Sequence, residues 1–177
     1  IYRPLDGELR QLAEMIGSAE RITVFCGIGA REAHDEVVRL AAMLKAPVAY
    51  TFKAKMEVQY DNPYEIGMTG LLGLPSAYGA MHESDLLLLL GTDFPYDCFL
   101  PSECRIAQVD IRPERIGRRA RVELGLAGDV KETLQALFPM LRERSDRVFL
   151  DRQLKIYGAL CDDMAAVASK RGSAGNI

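Results

Sequence analysis

Apolar residues in this chain follow two alternating patterns: short unbroken runs that stop at a glycine or an acidic residue, and longer stretches in which they recur every three or four positions. The runs predict buried strands and the stretches predict amphipathic helices. Asp6 is placed to cap a first helix, with Leu9, Leu12, Ala13 and Ile16 on one face. A strand from Ile22 to Cys26 breaks at Gly27. Ala33, Val37, Leu40, Ala41 and Leu44 then give a helix that ends before Pro47. Pro47–Thr51 predicts a second strand, and Glu65 to Gly67 a short third one after a turn-rich stretch. A short helix over 76–83 feeds the all-leucine strand Leu86 to Leu90. Arg105–Asp110 is a fifth strand, and Val122 to Ala127, stopping at Gly128, a sixth. Asp129 with Glu132 resembles a capping box for a helix buried through Val130, Leu134, Leu137, Phe138 and Leu141.

Strands that alternate with helices argue for an α/β fold with a parallel sheet. The leucine strand fits such a sheet, because helices on both sides leave no polar face. Right-handed crossovers bring the strand ends to one edge. Ligands of open α/β sheets bind just beyond that edge, so the segment Gly91-Thr92-Asp93-Phe94-Pro95 is a candidate site.

From Arg142 the pattern changes. Residues 142–147 are charged and are expected to be solvated. Leu150, Leu154, Tyr157, Cys161, Met164 and Ala168 then recur at helical spacing, and 170–177 read as a flexible end. The expected division is a nucleotide-binding α/β domain over 1–145 and a linker helix over 146–177.

Composition narrows the function classes without choosing one. The net charge of −3 offers no nucleic-acid-binding surface. No apolar stretch is long enough to span a bilayer. Cys26, Cys98, Cys104 and Cys161 have no C-x-x-C spacing, so reduced thiols in the cytoplasm are expected. His34 and His82 have no neighbouring second ligand, and no metal site is expected.

The strand ends carry the candidate chemistry. Gly27-Ile28-Gly29 before a helix suits an anion such as a pyrophosphate. On this reading Gly29→Val loses the ligand and keeps the fold, because a Cβ there would meet a phosphate. The nicotinamide fingerprint fails twice: Glu32 replaces its third glycine, and the second strand ends in Thr51-Phe52-Lys53 instead of an acid. Lys53, with Lys55 close by, suits a phosphate. Thr69-Gly70-Leu71-Leu72-Gly73 is a glycine-rich loop with a hydroxyl. Asp110 could accept hydrogen bonds from a ribose, and Asp129 is either a further contact or purely a helix cap. No nucleophile-and-base motif and no P-loop occurs, so the residues alone lead to a nucleotide-binding domain without visible catalytic groups.

Four stretches, "YDNPYEIGMTGLLG", "LLLLLGTDFPY", "QVDIRPERIG" and "GDVKETLQALFPML", together resemble the central domain of thiamine-diphosphate enzymes, nearest to the pyruvate oxidases, or pyruvate dehydrogenases (quinone). The likeness runs from about Arg3 through Asp151. It implies a Rossmann-like six-stranded parallel sheet flanked by helices, and FAD as this domain's cofactor. Gly27 and Gly29 would lie near the phosphates, with Lys53 where the family often has arginine. Thr69, Gly70, Leu71 and Leu72 would run along the cofactor, as would Gly91, Thr92, Asp93, Phe94 and Pro95. Asp110 and Ile111 match the pair at the adenosine end, and Asp129 with Val130 a further segment. Asp93 stands where a neutral amide is expected.

The resemblance also implies partners. Thiamine diphosphate and Mg²⁺ would be bound by flanking domains whose motifs this sequence lacks, so the chain itself would be inactive. The whole enzyme would be a homotetramer, cytoplasmic or peripheral at the inner membrane, passing electrons from pyruvate to quinone or oxygen. One alternative is the central domain of an acetolactate synthase, where FAD is structural; another is a relative that binds ADP or nothing. A sirtuin-like deacylase would need a catalytic histidine and usually a zinc module, and neither is visible.

Overall fold

The structure, a computed structural model, describes residues 2–173, and the side chains of 2–169. Its strands are β1 (Ile22–Cys26), β2 (Val48–Tyr50), β3 (Glu65–Met68), β4 (Leu86–Leu90), β5 (Arg105–Asp110) and β6 (Leu124–Ala127). They form one sheet in the order β3-β2-β1-β4-β5-β6, with every neighbouring pair parallel. The helices are α1 (Asp6–Ser18), α2 (His34–Leu44), α3 (Lys55–Val58), α4 (Pro75–Glu83), α5 (Val130–Leu137) and α6 (Val148–Ser173).

The leucine strand shows why the sheet must be covered twice. Leu86, Leu88 and Leu90 enter a core shared with α1, α2 and α5, through Leu9, Val37 and Leu134. Leu87 and Leu89 point the other way, into a core with Ala77, Ala80 and Met81 of α4. Successive side chains of a strand face opposite sides, so an unbroken run needs a helix layer on each. The one polar residue within β1, Thr23, is buried and bonds Ser84 Oγ at 2.7 Å.

Four expectations are corrected. Asp6 is the first helical residue and not the cap: the cap position is Leu5, whose N–H donates to the Glu8 carboxylate at 2.7 Å. No α-helix follows Gly29 directly. A 3₁₀ segment, Ile28–Ala33, intervenes because the Ala30 N–H turns back to the Gly27 carbonyl at 3.0 Å. The charged stretch 142–147 is not simply solvated. The half-buried Arg144 donates to the carbonyls of Ile16 and Ala19 at the end of α1, and its own N–H donates to the Met43 carbonyl. Finally, the stripe of α6 is only partly covered. Leu150 and Gln153 are buried, and Tyr157 donates to Glu65 at 3.0 Å, but Met164 and Ala168 are exposed. Helix α6 continues through Ser173, so of the expected flexible end only 174–177 lie outside the described residues.

Candidate functional site

The strand order reverses between β1 and β4, and the loops leaving their carboxyl ends diverge there. Three glycines hold the two loops together. The Gly27 N–H donates to the Leu90 carbonyl at 2.8 Å, and the Gly29 N–H to the Gly91 carbonyl at 2.9 Å. A Cβ on Gly27 would lie 2.3 Å from the Gly91 oxygen, and one on Gly29 would lie 2.8 Å from Gly91 Cα. Gly91 has φ +61°, which L side chains rarely adopt. The expectation that Gly29 leaves room for a phosphate is therefore corrected: the space a side chain would need is filled by protein backbone.

Outside this glycine contact lies a cleft of about 540 Å³, within the roughly 300–1,000 Å³ usual for small-molecule sites. The loop after β3 forms one wall with Thr69, Gly70, Leu71 and Leu72, and the loop after β4 another with Gly91 to Tyr96. Gly27 sits at the base and Lys53 at the rim, whereas Lys55 turns away to Gln59. Phe94 is buried edge-on to Phe25, with ring centroids 5.3 Å apart, and Gly70 lies against the outer end of its ring. Leu71 and Leu72 remain exposed, as does Phe52, so apolar surface borders the mouth.

Two buried polar atoms lack partners among the described residues: Thr69 Oγ1, on the cleft wall, and Asp110 Oδ2. Such atoms are costly unless a water or a ligand completes them. The other oxygen of Asp110 accepts the Arg112 N–H at 2.9 Å. Burial raises the Asp110 pKa against the opposing effects of that bond and of Arg115.

Sequence reasoning missed the cleft's arginines. Arg115 and Arg119, from the segment joining β5 to β6, line it opposite Lys53. Asp93 ties them down: Arg119 Nε donates to Oδ1 at 3.0 Å, Arg118 Nη1 to Oδ2 at 3.4 Å, and Arg115 Nε stands 3.9 Å from Oδ2. The signal was present in the basic run "RPERIGRRAR" directly after the Asp110 strand end.

Other expected site residues lie apart from the cleft. Gly29 packs behind Gly91, and Ile111 is exposed. Asp129 caps α5 by accepting the Glu132 N–H at 3.1 Å, but the expected capping box is only half formed because the Asp129 N–H donates to the Tyr2 carbonyl; Val130 is buried in the core. Among the described residues no cluster of metal-ligating side chains occurs, and no helix is long and apolar enough to cross a membrane. A larger open cavity, about 1570 Å³, lies at the amino ends of the strands, and several of its charged residues are paired with one another, as in Lys45–Glu143 and Arg152–Glu83.

Residues 9–137 match the family described as thiamine pyrophosphate enzyme, central domain. The chain belongs to that family. It is 49% identical over 89% of its length to an uncharacterized 42.6 kDa protein in the isoamylase 3' region of Pseudomonas amyloderamosa, covering 40% of that protein. It is 31% identical over 79% of its length to an acetolactate synthase of Mycobacterium bovis, covering 24% of that protein. To a pyruvate oxidase of Lactiplantibacillus plantarum it is 28% identical over 76% of its length, covering 23% of that protein. The crystal structure of a candidate thiamin diphosphate-dependent enzyme from Mycobacterium smegmatis superposes with a TM-score of 0.65 at 27% identity, over 82% of this chain and 30% of that one. The chain thus spans well under half the length of these relatives, and the thiamine pyrophosphate enzyme family, not one activity within it, is what they share.

Proposed function

We propose that this central domain is a nucleotide shelf: it holds FAD in the cleft beyond β1 and β4 for thiamine-dependent chemistry on pyruvate carried out with flanking domains. The observation that carries this reading is the convergence of loops at the reversal of strand order. They present three cations and a buried hydroxyl around one cleft, and the unpartnered carboxylate oxygen of Asp110 lies at the end of β5, outside the cleft lining. Those groups fit an adenine dinucleotide. Asp110 would accept from the ribose, and Lys53, Arg115 and Arg119 would face the phosphates. Thr69 would bond along the chain of the cofactor. Leu71, Leu72 and Phe52 would lie against an apolar ring.

FAD, when bound, supplies electron acceptance. The chain's own residues would bind and orient it. Thiamine diphosphate and Mg²⁺ belong on this reading to other domains of a multidomain oligomer. The stretch "MTGLLG…GTDFPY" favours pyruvate oxidation, with quinone or oxygen as acceptor. Relatives named as acetolactate synthases make a structural FAD the competing reading.

The experiment is a flavin fluorescence titration of this chain with FAD, beside a pyruvate decarboxylation assay with thiamine diphosphate and Mg²⁺. Saturable FAD binding without turnover is expected. Turnover by the pure chain would overturn the shelf reading, and absence of FAD and ADP binding would overturn the cofactor assignment. The full-length enzyme then separates the two activities: pyruvate-dependent reduction of a quinone analogue marks the oxidase, and acetolactate formation without net reduction marks the synthase.

A further inference from the structure

The glycine turn after β1 has little left to offer a diphosphate. The N–H groups of Gly27 and Gly29 are both spent on the β4 side, on Leu90 and Gly91, and a 3₁₀ segment, not the first turn of an α-helix, follows them. Anion binding at a helix N-terminus depends on free amides pointing at the ligand. That requirement is unmet by these two residues.

We infer that Arg115 and Arg119 are the diphosphate anchor of the cleft. This rests on the nucleotide reading given above and names the groups that hold the anion. Both guanidiniums line the cleft. Arg119 engages Asp93 through Nε, and Arg115 approaches the same carboxylate by its Nε. Among the described residues neither side chain donates any other hydrogen bond, so the paired Nη groups at the ends of both forks remain available. A guanidinium end matches two phosphate oxygens in the bidentate manner that makes arginine the usual partner of phosphate.

The loop that carries them is fixed in place. Gln108, buried on β5, donates to the carbonyls of Thr92 and Arg115 at 3.2 and 3.3 Å, and accepts the Gly117 N–H at 2.9 Å. The backbone at Arg115 is thereby stitched to the loop after β4. The charge balance also fits. One carboxylate, Asp93, faces three guanidiniums, those of Arg115, Arg118 and Arg119. Among the lining residues themselves, Lys53, Arg115 and Arg119 against Asp93 leave a surplus of two positive charges, equal in size and opposite in sign to the charge of a diphosphate diester. Arg118 is 56% exposed and does not line the cleft, so it contributes to the field and not to the grip.

The test titrates the chain calorimetrically with ADP, FAD and adenosine, with inorganic pyrophosphate as competitor. The variants are Arg115→Gln, Arg119→Gln and Arg118→Gln, each checked by circular dichroism. Arg115→Gln and Arg119→Gln are expected to weaken ADP and FAD tenfold or more and to leave adenosine unchanged. Arg118→Gln should weaken ADP less than either, and the small effect should vanish at high salt. In the unaltered chain, ADP affinity should fall steeply from low to high salt while adenosine affinity stays level, a readout that needs no variant to fold. If ADP binds the unaltered chain and both cleft variants equally well, or without salt dependence, the anchor assignment falls and the nucleotide cleft stands. If the unaltered chain binds none of ADP, FAD and adenosine, the cleft reading falls and the anchor with it.

Discussion

Gly29 donates its N–H to the carbonyl of Gly91 at 2.9 Å, with the two backbones in direct contact. This joins the loops after β1 and β4 where the sheet reverses its order, and it is the floor on which the cleft is built. Gly91→Ala adds a Cβ 2.6 Å from Gly29 Cα at φ +61°. Left-handed backbone costs about 1–2 kcal/mol for an L residue, and overpacking about 1–3 kcal/mol more. Gly91→Ala should therefore lower the urea midpoint by an amount matching several kcal/mol, with the slope unchanged. Gly29→Val should act in the same way, losing stability together with the ligand. A Gly29→Val chain of wild-type stability would show that the loops can separate.

Much of this was legible in the chain, and the exceptions have physical causes. Strand β1 and the leucine strand announced themselves because burial on both faces leaves unbroken apolar runs. The loops of the site were legible for the related reason that strand ends stop at glycine or acid. What the glycines were for was not legible, since Gly27 and Gly29 meet residues more than sixty positions away in sequence. Arg115 and Arg119 were hidden differently. A basic run on a loop looks solvated until Asp93, from another strand end, is seen to organise it.

Arg144 illustrates the same long-range effect in stability. Its guanidinium donates to the carbonyls of Ile16 and Ala19 at the end of α1, where the Ile16 carbonyl otherwise accepts only the long 3.3 Å bond from the Ala19 cap. Hydrogen bonds to a charged group are worth about 1.5–3 kcal/mol. Arg144→Ala should lose about that much in urea unfolding, and amide exchange should quicken in the last turn of α1 before it does elsewhere. A loss confined to α6 would instead mean that Arg144 serves the chain's C-terminal helix.

Asp110 should oppose stability to binding. Its side chain is buried, one oxygen is unpartnered, and burial raises its pKa from the ordinary 3.8. A raised carboxylate pKa means that ionisation penalises the folded state. The penalty is absent below about pH 3, grows as pH passes from 3.8 through the raised value, and is constant above it. Asp110→Asn retains an acceptor for the Arg112 N–H and carries no buried charge. Without ligand it should be more stable than the parent at neutral pH and equal to it in acid. It should also bind FAD more weakly, by about 1.5–3 kcal/mol if a charge-assisted ribose bond is lost. Equal stability at both pH values would show that the carboxylate is well solvated in the free chain.

Asp93 poses a question of sign, and magnitudes decide it. The carboxylate positions Arg119 through one hydrogen bond at 3.0 Å and adds a negative charge beside the proposed diphosphate. Asp93→Asn keeps an oxygen for the Arg119 Nε and removes only the charge. The lost attraction is to guanidiniums 29–56% exposed, where solvent screening keeps each ion pair to about 0–1 kcal/mol net. The relieved repulsion is larger. Two unit charges about 8 Å apart at an effective dielectric constant of about 20 interact by about 2 kcal/mol before salt screening, and a diphosphate carries two such charges. Relief should win over lost positioning. Asp93→Asn is expected to bind ADP about tenfold more tightly at low salt, with the gain shrinking as salt is added, and to unfold at slightly lower urea. Adenosine affinity should not move. Weaker ADP binding by a folded Asp93→Asn chain would mean that the full charge is needed to hold the guanidiniums in place, and would make Asp93 a positioning residue and not a counterweight.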